Sequence, residues 1–83
     1  MPLFLLTLEL TRPLEAYTAL KKVLSGLAAV QVLEHGWMFR SPRSAVDLMQ
    51  ELRNCTHASD RILVAQISDA FAWSNPMGDP EGV

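Results

Sequence analysis

Two prolines bracket the first apolar run of the chain. Residues 3–10, Leu-Phe-Leu-Leu-Thr-Leu-Glu-Leu, follow Pro2 and are closed by Thr11, Arg12 and Pro13. Leucine tolerates a helix, but so short a run between helix-breaking residues favours a strand. On a pleated strand Phe4, Leu6, Leu8 and Leu10 share one face, and Leu3, Leu5, Thr7 and Glu9 share the other. The first face is wholly apolar and is expected to meet helices. The second is half apolar and ends in a carboxylate.

The rest of the chain alternates in the same way. Pro13 suits the first turn of a helix, where no amide is needed, and Glu15 complements the helix dipole there. Leu14, Tyr17, Leu20, Leu24 and Leu27 recur at intervals of three and four, an amphipathic stripe that Gly26 should end. Residues 29–34 form a second strand, with Val30 and Val32 on one face and Gln31 and Leu33 on the other. The turn Glu34-His35-Gly36 then leads through a hairpin into a third strand, residues 37–40. Ser44 followed by Asp47 resembles a capping box, and Ala45, Leu48, Met49, Leu52 and Cys55 make the second helical stripe. Residues 61–68 are a fourth strand. It is apolar on both faces, so both should be covered.

The order is therefore βαββαβ. With right-handed crossovers this gives an α+β split βαβ sandwich, a four-stranded antiparallel sheet with two helices on one face. The expected strand order is 4-1-3-2. Residues 1–75 make the domain. Residues 76–83, rich in turn formers, are expected to be a disordered tail.

One domain of 83 residues is a small core. Its single cysteine, Cys55, excludes an internal disulfide, and one Cys with two His is a poor zinc set. Self-association is the remaining supplement. Hydrophobic residues make up 49% of the chain and charged residues 19%, against about 25% charged in an average domain, so some apolar surface should face a partner. A net charge of −2 argues against a broadly basic nucleic-acid binder. No run approaches the length of a membrane span, and no basic residue precedes the opening apolar run as in a secretion signal. A cytoplasmic protein without a membrane contact is expected.

Several segments taken together resemble a known group. They are Ser59-Asp60-Arg61-Ile62-Leu63-Val64 with the following Ala72-Trp73, the opening strand, the Trp37 strand and the Ser44-Ala45 helix start. Over residues 2–75 the chain resembles the SinR-like small proteins, relatives of the CRISPR-associated small endonuclease subunit and of VapD-type toxins. The resemblance implies a ferredoxin-like fold and a two-fold homodimer in which the tail reaches the partner's sheet. It also implies metal-dependent cleavage of nucleic acid, weak or lost here. The nuclease relatives close the first strand with Asp, and this chain has Glu9.

The candidate site residues follow. Glu9 and its two-fold mate could supply the carboxylates of a Mg2+ or Mn2+ site, or Glu9 could be an ordinary polar residue on a wetted sheet face. Arg40 and Arg43 lie close together near a helix start and Arg12 at the opposite end of the sheet. They suit either phosphate contact or solvated charge. His35 and His57 have no nucleophile nearby in sequence and read as turn residues. Cys55 reads as a small hydrophobe. Trp37 belongs to the core. Phe71 and Trp73 lie beyond the last strand, where a dimer contact is at least as natural as a core position, with Leu3 and Leu5 as the other candidate interface. Two functions are open: a small homodimer with residual nuclease activity in a nucleic-acid-linked or defence-associated assembly, or an acidic regulator or inhibitor that docks a protein partner without catalysis.

Overall fold

A computed structural model describes residues 1–68 and 70–83. Strand β1 spans Leu3–Glu9, helix α1 Thr18–Gly26, β2 Val30–Leu33, β3 Gly36–Arg40, helix α2 Ala45–Arg53 and β4 Arg61–Ile67. Short 3-10 turns lie at Leu14–Ala16 and Pro80–Gly82. The strands form one antiparallel sheet of order β2-β3-β1-β4, which is 4-1-3-2 read from the other edge.

Strand parity sorts the side chains as expected. Phe4, Leu6 and Leu8 of β1 join Trp37 and Phe39 of β3 under Leu20 and Leu24 of α1 and Leu48 and Leu52 of α2. Both helices thus cover one face. Phe4 and Phe39 stack with ring centroids 5.6 Å apart. Each fully buried leucine here contributes roughly 1.5–3 kcal/mol over an exposed one.

The helix ends differ in how well sequence marks them. Ser44 caps α2, its hydroxyl accepting the Asp47 N–H at 3.1 Å. Pro13, in contrast, leads only into the 3-10 turn. Tyr17 then leaves the helical region, with φ −107° and ψ 73°, before α1 begins. At the other end α1 stops at Gly26, as expected, but the turn that closes it lies beyond the glycine. Ala29 N–H bonds Leu24 O and Ala28 N–H bonds Ser25 O, with Ala28 left-handed at φ 53°. This is a Schellman motif in which alanine holds the place that glycine usually takes.

The second sheet face is only partly covered, and what covers it is the tail. Leu3, Val32 and Met38 are buried there with Leu5, Val30, Ile67, Phe71 and Val83 packed around them. Met77 N–H donates to Val32 O at 2.8 Å. Gly78 lies so close to β2 that a Cβ there would stand 2.6 Å from Gln31 O. Pro80 is buried, and Arg40 Nε donates to the main-chain oxygen of Val83 at 3.1 Å. Residues 76–83 were expected to be a disordered tail. The structure lays residues 77–83 on their own sheet through one backbone bond, one bond from the Arg40 side chain, one glycine contact and the apolar side chains of Pro80 and Val83.

Strand β4 also departs from expectation. It takes the edge position that the expected order gives it, but its outer face is covered only toward Ile67, and Leu63 is 57% exposed. The molecule exposes 5320 Å², above the roughly 4,900 Å² expected of a compact monomer of this mass. The uncovered part of the sheet is one source of that excess.

Candidate functional site

The tail covers only the end of the outer face that carries Leu3. The other end stays open, and one row of residues crosses it. Thr7 is the Cα partner of Gly36 on one side and of Leu63 on the other, and Gly36 in turn pairs with Leu33. The register shifts between Gln31 and Leu33. That bulge turns Leu33 onto the outer face, against the strict alternation expected of β2. The Leu33 side chain lies over Gly36, where a Cβ would meet Leu33 Cβ at 3.4 Å. Leu33 is 54% exposed. Leu5, Thr7, Leu33 and Gly36 therefore line a shallow apolar groove, closed at its end by Glu9, Glu34 and His35.

Glu9 stands at the open end of β1, exposed, at the rim of that groove. Its carboxylate pairs with the Arg61 guanidinium at 3.5 Å across the β1–β4 ladder. Both groups are wet, so the pair adds little stability. No cluster of three or more metal-ligating side chains occurs among the described residues.

The arginines have separate duties. Arg40 holds the two chain ends, donating to Val83 O and, through Nη1, to Met1 O at 3.0 Å. Arg43 pairs with the Glu51 carboxylate and donates to Asp47 O at 3.1 Å, which fastens the entry of α2. Arg12 is exposed in the loop after β1. Arg40 and Arg43 thus bond to different parts of the chain.

Phe71 packs on its own sheet and meets Trp73 with centroids 5.6 Å apart. Trp73 is 42% exposed, and Leu3 is only 2% exposed beneath the tail. Of the four residues expected at a dimer contact, Leu3 is thus covered by its own chain. Leu5 remains at the groove, and Trp73 remains on the surface. Trp37 is in the core, as expected.

A second cluster was not foreseen from sequence. Asp60 accepts from Thr11 N–H at 2.8 Å, Thr11 hydroxyl at 2.9 Å, Tyr17 hydroxyl at 2.9 Å and His57 N–H at 2.7 Å. Partial desolvation opposes ionisation, but the donors of His57, Thr11 and Tyr17 outweigh it and hold the carboxyl well below its usual range. Four donors thus converge on this one carboxylate. It is a staple between the loop after β1 and the loop before β4. His57 rests edge-on against the Tyr17 ring, centroids 5.3 Å apart. Cys55 donates its thiol to Leu52 O at 3.2 Å, and burial, then the Glu51 charge, push that thiol up. It is a partly buried, packed group.

No helix among the described residues is long and apolar enough to cross a membrane. Comparison with protein-family models, with curated protein sequences and with solved structures gives no match for this chain.

Proposed function

We propose that the chain is a ferredoxin-like sandwich of the SinR-like kind that works as a small docking module. In this reading a protein partner seats apolar side chains on the tail-free half of the outer sheet face. The observation that carries it is the pair of half-exposed leucines, Leu33 and Leu63, placed in one row across the sheet with only Thr7 and Gly36 between them. Apolar surface framed by charged groups is the ordinary make-up of an interface. Glu9, Glu34 and Arg61 supply the frame and would orient the partner more than bind it.

The test compares partners retained from the source cells by the wild-type chain and by Leu33→Glu and Leu63→Glu. Both positions are exposed, so both variants should fold. A partner held by the wild type and lost by both variants supports the docking reading. Retention unchanged by either variant contradicts it.

The position of Glu9 supports a second reading. It closes the first strand on the uncovered part of the face, where a two-fold mate could bring a second carboxylate near. Two such groups would favour a divalent cation between them. In that reading the protein cleaves nucleic acid with Mg2+ or Mn2+, and Arg61 must release Glu9 first.

A further inference from the structure

We propose that β4 pairs with β4 of a second copy, antiparallel about a two-fold axis at Val64, so that two sheets become one. The sheet has two edges, and the chain treats them differently. The β2 edge is four residues long, is broken by a bulge, and gives its Val32 carbonyl to Met77 of the tail. Shortness, bulges and cover are the usual ways to blunt an edge. The β4 edge has none of them. It runs seven residues in unbroken register with β1, from Glu9↔Arg61 to Leu3↔Ile67, without proline or glycine. Among the described residues no strand or loop pairs with its outer side.

The direction of its backbone groups follows from two bonds elsewhere. Leu8 N–H donates to His35 O, and Ser41 N–H donates to Pro2 O. The even-numbered residues of β1 therefore bond toward β3. Antiparallel ladders alternate, so Leu3, Leu5, Thr7 and Glu9 bond toward β4, and Ile67, Ala65, Leu63 and Arg61 bond back. That leaves the N–H and C=O of Ile62, Val64 and Gln66 pointing outward.

A second copy satisfies this edge along its whole length. The two-fold axis sets Val64 against its own mate and Ile62 against the second copy's Gln66, so each outward donor meets an acceptor. The only charged residue of the strand is Arg61, at its start. The antiparallel arrangement puts the two Arg61 side chains at opposite ends, roughly 20 Å apart by strand rise. A parallel pairing would bring them together. On the outer face the two Leu63 side chains become diagonal neighbours, about 7–8 Å apart at the backbone. The two exposed patches then meet across the axis.

The experiment uses the purified full chain from micromolar to millimolar concentration. Sedimentation equilibrium gives the mass, and amide exchange is followed residue by residue. The mass should rise from 9.2 kDa to twice that value, and the amides of Ile62, Val64 and Gln66 should slow in step with it. Gln66→Pro removes an outward donor at an exposed edge position, where proline is tolerated. It should keep the fold and weaken association by at least about tenfold. Leu33→Glu, on the far side of the sheet, should leave the dimer intact. The exchange pattern of the wild type decides the matter even if Gln66→Pro fails to fold. A chain that stays monomeric at millimolar concentration with fast exchange at Val64 overturns the proposal. So does a dimer that survives in folded Gln66→Pro or is lost in Leu33→Glu. None of these results alters the docking reading, which rests on partner retention.

Discussion

The Tyr17 hydroxyl donates to Asp60 at 2.9 Å although 43 residues separate the two in sequence. The bond ties the entry of α1 to the entry of β4, and Thr11 and His57 complete the staple. It also gives a structural role to each member of the Asp60-Arg61 pair. Asp60 locks two loops, and Arg61 pairs with Glu9 at the mouth of the groove.

The staple sets an acid response. The folded carboxyl of Asp60 lies below its unfolded value near 3.9. The stability it confers is complete above that value and is lost as pH falls below it toward the folded one. Asp60→Asn should melt lower than wild type at pH 7. The gap between the two should narrow steadily as thermal melts are taken from pH 4 to pH 2. Tyr17→Phe should lower the melting temperature in the same direction.

Ala28 holds a left-handed conformation that glycine adopts freely. Ala28→Gly should therefore stabilise the protein by roughly 0.5–1 kcal/mol, read as a melting temperature a few degrees higher. An unchanged or lower melting temperature would show that the Schellman turn at the end of α1 is wrongly placed.

The tail should matter to stability. Removing residues 77–83 uncovers Val32 and Met38 and frees the Val32 carbonyl. The loss should be at least about 1.5 kcal/mol, the value of a single such apolar side chain. Gly78→Val tests the same contact without shortening the chain, because its side chain would strike Gln31 and Val30. Both changes should raise amide exchange at Val32 and Met38.

Much of the fold was legible because it obeys short-range rules. The alternation of Phe4, Leu6 and Leu8 marked the helix-covered face, and Ser44 with Asp47 marked the start of α2. What escaped depends on contacts distant in sequence or on the backbone alone. Asp60 bears no periodic relation to Thr11 and Tyr17. The tail docks by a Met77 amide and a glycine contact, which leave no hydrophobic pattern. The bulge that turns Leu33 outward overrides the parity of β2. The expected order already put β4 at the edge, but a strand apolar on both faces reads as covered on both, so the exposure of Leu63 was missed. Glu9 was legible as the acid at the open end of β1, but its Arg61 partner was visible only once β1 and β4 were in register.

In the proposed docking reading this face binds a partner and does not cut nucleic acid. The direct measurement incubates the protein with labelled RNA and DNA in millimolar Mg2+ or Mn2+ and follows fragment release, with the melting temperature recorded under the same conditions. The expected outcome is intact substrate and a melting temperature that the metal does not move. Fragments released by the wild type and absent with Glu9→Ala, together with a metal-dependent rise in melting temperature lost in Glu9→Gln, would contradict it.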